Sequence, residues 1–304
     1  SSLAEAVEGA SREAASAFGN GTVFLERWLP APRHVEVQII ADEHGRVLHL
    51  GDRECSIQRR HQKIVEEAPA LGLSDSVRDG LRRAAVDGAG AVGYVGAGTW
   101  EFLVDGDDFA FLEVNTRLQV EHPVTEQITG LDLVRLQLQI AGGQPLNLVQ
   151  EDISFDGHAI EARLVAEDPA RDWLPSSGPL HRFAAADPGA DGVRLELGVS
   201  SGSLVTPDYD SLLGKIIGFG TSRSDAVARL RAALERLEIH GLRTNRELLV
   251  ALLAEEDFRA GRTSVAYLAD HPELQAGATD AQLTGTHALA AALWMAAGRR
   301  RAAS

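Results

Sequence analysis

Residues 111–126 read FLEVNTRLQVEHPVTE, and the rest of the chain is organised around them. Taken with period two, the alternate positions are Glu113, Asn115, Arg117, Gln119 and Glu121. Val114, Thr116, Leu118 and Val120 between them are mostly apolar. Successive side chains of an extended strand point to opposite faces, so the pattern predicts a strand with a row of polar and charged groups on one side. An ordinary half-exposed strand shows the same alternation. The segment before it argues for more. Residues 99–105 (TWEFLVD) and 109–115 (FAFLEVN) are strand-like, with Gly106-Asp107-Asp108 between them as a three-residue hairpin loop. With Asp105 opposite Phe109, Glu101 falls opposite Glu113. Two carboxylates so placed have Cβ atoms about 5 Å apart and repel. A hard cation with oxygen ligands relieves that repulsion, and Mg²⁺ typically combines one or two carboxylates with substrate phosphates. Glu101, Glu113 and Asn115 are therefore candidate metal ligands in a phosphoryl-transfer site.

Composition sets the outer bounds. A chain of 304 residues holds one large or two ordinary domains, and 44% apolar with 24% charged residues is a globular balance. The net charge of −15 argues against a general nucleic-acid binder, which needs a basic face. Cys55 stands alone, which rules out an intrachain disulfide framework and fits a reducing compartment. The apolar run 288–298 is shorter than the roughly 20 residues a membrane span needs. With a charged, Ala-rich beginning unlike a signal peptide, these features point to a cytoplasmic protein.

Along the chain, residues 1–18 read as a helix closed by Gly19-Asn20-Gly21, and 22–28 as a strand ending at Pro30 and Pro32. Residues 33–42 and 46–51 make a second hairpin, in which His34, Glu36 and Gln38 alternate with Val35, Val37 and Ile39. The run 53–67 carries Arg53, Arg59, Arg60, His61 and Lys63. It is either a solvated surface or an anion-binding loop between strands. Ser74 caps a helix to Val92. The glycines at 88, 90 and 93 match a dinucleotide pattern but close a helix instead of opening one, which excludes that reading. Gly93, Gly96 and Gly98 read as turn residues. A helix over 131–141 ends at Gly142-Gly143. Strands follow at 158–165, 179–184, 193–199 and 213–219, then helices at 222–239, 245–260 and 264–269. Residues 277–304 are Ala-rich and helical by propensity.

Four segments in order carry a family resemblance: RRHQKIVEEAP (59–69), FLEVNTRLQVEHPVTE (111–126), GHAIEARLVAEDP (157–169) and YDSLLGKII (209–217). Over about residues 1–270 the chain resembles the biotin carboxylase component of biotin-dependent carboxylases, within the ATP-grasp superfamily. Its tail is most like bacterial acyl-CoA carboxylase α subunits. The resemblance implies an α+β fold: the C-terminal lobe of an ATP-grasp fold, an antiparallel sheet with flanking helices, plus a biotin carboxylase C-terminal subdomain. The implied division is 1–29 as the tail of the lid subdomain, 30–156 as the metal and bicarbonate lobe, 157–270 as the C-terminal subdomain, and 271–304 as a linker or the start of a following domain.

The implied reaction is ATP-dependent carboxylation of biotin from bicarbonate through carboxyphosphate, as the first half-reaction of an acyl-CoA carboxylase. By family motif Glu101, Glu113 and Asn115 hold Mg²⁺ or Mn²⁺. Lys63, Arg117, Gln119 and the Val120 backbone hold bicarbonate, Glu121 is the general base, and Arg163 stabilises the biotin enolate; Lys63 and Arg117 count as catalytic. ATP contacts fall on Glu26, Arg27, Leu29, His34, Gln58, His61, Glu101, Leu103 and Glu113. Many relatives have lysine where Arg27 stands. Implied partners are a biotin carboxyl carrier domain, a carboxyltransferase subunit and a second copy or larger assembly, with neither nucleic acid nor membrane. A family N-terminal domain and glycine-rich lid loop are absent from these residues, so the chain is expected to be part of a longer polypeptide and, alone, weakly active or inactive. The alternatives are a non-catalytic assembly module and an ATP-grasp ligase of carbamoyl-phosphate synthetase type, which shares the Glu-x-Asn strand but not RRHQK.

Overall fold

The computed structural model describes residues 2–185, 192–275, 289–290 and 292–293, which fall into two compact units, Ser1–Pro30 and Ala31–Ser304. The Ala-rich segment expected over 277–304 lies almost wholly outside the described residues. In the first unit, helix α1 (Leu3–Phe18) begins with a capping box between Ser2 and Glu5 and ends on Gly19 at φ +72°. No residue of α1 is buried. Residues 22–28, expected as a strand, form no regular element. Alternation alone does not make a strand where no partner supplies the ladder.

The second unit is built on β1 (Arg33–Ala41), β2 (Val47–Arg59), β3 (Gln62–Ala68), β4 (Gly96–Asp105), β5 (Asp108–Asn115), β6 (His158–Val165), β7 (Val193–Leu197) and β8 (Leu212–Gly220). They form one sheet in the order β7-β8-β6-β3-β2-β1-β4-β5, and every neighbouring pair is antiparallel. With its flanking helices this is an α+β fold. Short two-stranded ribbons accompany it after β6.

Alternation in β1 assigns the two sides of the sheet. Val35, Val37 and Ile39 pack with Trp100, Phe102 and Val104 against Val77, Leu81, Ala85 and Ala89 of α2 (Asp75–Ala91), which Ser74 caps. Glu36 and Gln38 turn to the opposite side, where α3 (His122–Thr129) and α4 (Leu133–Ala141) pack. Toward the other end of the sheet, Ile160, Ala162, Leu164 and Ile216 meet Leu230 and Leu234 of α5 (Arg223–Glu235). There α3 covers the other side, through Val124 and Ile128 against Ile217.

Several sequence expectations change. The strand predicted over 46–51 runs on to Arg59, so the cationic run is a strand and a tight hairpin, with Arg60 and His61 at φ +48° and +68°. Gly96 and Gly98 lie within β4. The polar row does not stay in one strand: β5 ends at Asn115, the chain leaves the sheet, and Glu121 is the residue before α3. Asp105 does not pair with Phe109, whose partner is Val104. Asp105 pairs with Asp108 across a two-residue loop, and a bulge at Leu112 restores the Glu101–Glu113 pairing. A second bulge, at Ile64 in β3, leaves Lys63 opposite Gln58.

Candidate active site

The site grows out of a buried charge with no apolar alternative. Arg53 is entirely buried, directly opposite Glu36 in the β1–β2 register. Its Nε donates to Glu36 Oε1 at 2.5 Å, and its two Nη atoms donate to Gln38, Thr125, Thr99 and Gln119 at 2.7–3.2 Å. A buried ion persists only when paired and hydrogen-bonded throughout, and this guanidinium is. Arg53 thereby pins three strands to α3 and to the turn before it.

Lys63 sits beside it. Its ammonium donates to Glu36 Oε2 at 2.6 Å, Glu101 Oε1 at 2.9 Å and Glu121 Oε1 at 2.5 Å, using all three protons. The Ile64 bulge makes this possible, because one extra residue switches the face toward which a strand side chain points. Burial alone would raise the Glu36 carboxyl, but Arg53 and Lys63 outweigh it and hold it at about 2. Glu101 is also lowered: His34 and Lys63 overcome its burial. Lys63 is raised despite desolvation because three carboxylates, Glu36 first, surround it.

Glu101 gathers further donors, from Asn115 Nδ2 at 2.9 Å and Gln119 Nε2 at 2.8 Å. His34 Nε2 lies 3.0 Å from Glu101 Oε2, and His34 Nδ1 contacts Gln58 Nε2 at 2.8 Å. Arg163, on β6, donates through Nε to Glu66 at 2.6 Å and through Nη2 to Glu121 Oε2 at 2.9 Å. Glu121 is therefore gripped by Lys63 on one oxygen and Arg163 on the other. From β8, Lys215 donates to the Val120 carbonyl at 2.7 Å and pairs with Glu196 at 2.6 Å.

The structure therefore brings together Lys63, Glu101, Asn115, Gln119, Glu121, Arg163, His34 and Gln58. Glu113 faces Glu101 across the ladder but is exposed on the edge strand, with no ion pair among the described residues. Arg117 is exposed too, with local contacts only, to the Leu118 carbonyl and Asn115 Oδ1. His61 is exposed at the hairpin tip, and Leu103 is half-buried on β4 beside His34. Glu26, Arg27 and Leu29 belong to the first unit, in a stretch without regular structure. Sequence reasoning missed Arg53, Glu36, Glu66 and Lys215, which hold the site residues in place.

The donor set fits a divalent ion by its chemistry: two carboxylates directly opposed, one of them unpaired, and an amide oxygen beside them. Asn115 turns its amide nitrogen, not its oxygen, to Glu101 here, so ligation requires that amide to rotate.

Comparison with known proteins follows the same outline. Residues 1–149 match the family described as carbamoyl-phosphate synthase L chain, ATP binding domain, and residues 161–270 match the biotin carboxylase C-terminal domain. The chain is 48% identical to a biotin carboxylase of Pseudomonas aeruginosa over 84% of this chain and 56% of that protein. It is 46% identical to the mitochondrial methylcrotonoyl-CoA carboxylase subunit alpha of Arabidopsis thaliana, over 88% of this chain and 37% of that one. Among solved structures, the biotin carboxylase domain dimer of Hydrogenobacter thermophilus 2-oxoglutarate carboxylase, in complex with MgADP, ADP and bicarbonate, superposes with a TM-score of 0.85. Its identity is 45%, over 90% of this chain and 60% of that one. The class so defined is ATP-grasp. Within it, the chain belongs to the biotin carboxylase family. It spans between about a third and three fifths of the length of these relatives.

Proposed function

We propose that the protein to which this chain belongs carboxylates biotin, using ATP and bicarbonate, as the first half-reaction of an acyl-CoA carboxylase. The observation that carries this reading is the bridging of Glu121 by Lys63 and Arg163, at 2.5 and 2.9 Å. One carboxylate between two fixed cations offers a proton acceptor flanked by two anion sites. On this reading Lys63, with Arg117, Gln119 and the Val120 backbone, holds bicarbonate, and Glu121 takes its proton. The planar guanidinium of Arg117 matches a carbonate-like anion bidentately. Arg163 faces the oxyanion that develops when biotin is deprotonated, which a preorganised guanidinium stabilises. Mg²⁺ or Mn²⁺, held by Glu101, Glu113 and Asn115, would neutralise phosphate charge during transfer.

His34, Gln58, His61 and Leu103 are proposed as the nucleotide contacts that the second unit supplies. Residues 30–156 and 157–270 are proposed as the metal–bicarbonate and C-terminal portions, although one sheet runs through both. The relatives include carboxylase subunits and a domain dimer, which supports assembly. A biotin carboxyl carrier domain, a carboxyltransferase and a second copy are the proposed partners, and the cytoplasm the proposed compartment. Among the described residues no helix is long and apolar enough to cross a membrane.

The test is bicarbonate-dependent ATP hydrolysis by the whole protein with free biotin. Glu121→Gln is expected to lower biotin-dependent turnover about 10²- to 10⁴-fold, the range of a positioned acid–base group. Turnover unchanged in this variant would remove Glu121 from the reaction, and with it this reading of the site.

A further inference from the structure

Beside Arg163, and near enough to feel the Glu121 charge, lies a pair of carboxyl groups to which the reaction assigns no role. Glu66 on β3 and Glu161 on β6 are directly opposite in the antiparallel register, and both are 0% exposed. Glu161 is two residues before Arg163 and so shares its face of the sheet. Glu66 Oε1 accepts from Arg163 Nε at 2.6 Å, while Glu66 Oε2 and both oxygens of Glu161 have no donor.

The groups facing Glu161 leave it nothing to pair with as an anion. From β8 come Ile217, its register partner, and Lys215, whose ammonium is committed to the Val120 carbonyl and Glu196. Arg163 on β6 is committed to Glu66 and Glu121. From α3, Val124 and Ile128 lie over Ile217, while His122 and Glu126 bond the Gln119 carbonyl and Arg194. An ionised carboxylate buried without a donor is among the costliest groups a fold can hold, whereas a neutral carboxyl becomes a donor itself. Two carboxyls sharing one dry face cannot both ionise. The unused acceptor opposite is Glu66 Oε2.

We propose that Glu66 and Glu161 share one proton, carry a single negative charge between them, and act as positioning residues for Arg163. Its part in biotin chemistry rests on the function proposed above. Glu66 anchors the guanidinium by Nε, and the neutral Glu161 fixes Glu66 in turn. Because Glu161 adds no charge of its own, the carboxylates paired with Arg163 remain Glu66 and Glu121 alone. Burial pushes both carboxyls up, with Glu66 adding to the effect on Glu161, in agreement with this geometry.

Two measurements on the full chain decide it. The first needs no activity. A carboxyl kept neutral in the fold but ionising from its ordinary value of 4.5 when unfolded loses the native state stability as pH rises above 4.5, by up to tenfold in the folding equilibrium per pH unit. Glutamine has no such loss. In urea titrations from pH 5 to pH 8, Glu161→Gln is expected to gain steadily on the wild type as pH rises. A gap that moves the other way means that Glu161 is ionised in the fold, and overturns the proposal.

The second measures biotin-dependent turnover. Glu161→Gln, which still donates to Glu66, is expected within about threefold of wild type; Glu161→Leu, which cannot, is expected to raise the KM for biotin at least tenfold while leaving that for ATP unchanged. Leucine performing as well as glutamine refutes the positioning role. Should no variant or wild type carboxylate biotin, the proposed function falls, and the urea titration still decides whether the proton is shared.

Discussion

The middle of the sheet and its β5 edge carry the same kinds of side chain and treat them in opposite ways. In the middle, Arg53, Glu36, Lys63, Glu101 and Glu121 are buried or nearly so, and every charge is answered by a protein partner. At the edge, Glu113 and Arg117 stand in solvent, and Phe109, Phe111 and Leu112 are 37–58% exposed beside them. The inner half is preorganised by packing. On the function proposed above, ligands would organise the outer half. Glu101 lies on the boundary, with His34, Lys63, Asn115 and Gln119 on it from within and Glu113 across the ladder from without.

The sharpest way to break this contrast is Arg53→Leu. Leaving Glu36 buried without its partner is expected to cost about 3–5 kcal/mol of stability, read by urea unfolding. A loss near zero would mean that the inner cluster is as loosely held as the edge. The same cluster sets an acid limit. The Glu36 carboxyl is held at about 2, below its ordinary 4.5, so its contribution is complete above pH 4.5 and is lost as pH falls toward 2. The stability gap between wild type and Glu36→Gln is therefore expected to shrink over that window. Glu101→Gln is expected to cost about 1–3 kcal/mol, since it weakens several buried hydrogen bonds without removing them all. Glu113→Gln gives the smallest change in the unliganded fold, within about 0.5 kcal/mol, as for an exposed edge position. Its effect is expected in ligand binding instead: the rise in Tm on adding Mg²⁺ with nucleotide is smaller than for wild type.

Much of this is legible in the sequence, though not for uniform reasons. The alternation in β1 and in β5 up to Asn115 is a strand signal, and the strands carry it. Beyond Asn115 the same alternation misled, because Gln119 and Glu121 return to the cluster from a turn, where period two has no meaning. Pro123, near the first position of α3, was the available sign that a helix starts there. Glu101 pairs with Glu113 across a two-residue loop and not the three-residue one the sequence suggests, since the bulge at Leu112 replaces the residue missing from the turn. Arg53 was illegible. A run of arginines usually marks a surface, and no local pattern says that one of them sits at the centre of a sheet. Glu66 and Glu161 stood inside the family segments, yet only strand register shows that they meet.

The two bulges have a consequence for how such a sheet can change over generations. Between Phe102 and Glu113, and between Gln58 and Val65, each turn and its extra residue make up one count, and a codon lost or gained in either stretch would swing Glu113 or Lys63 to the far surface. A length change in either hairpin keeps these side chains on their face only when a second one compensates for it.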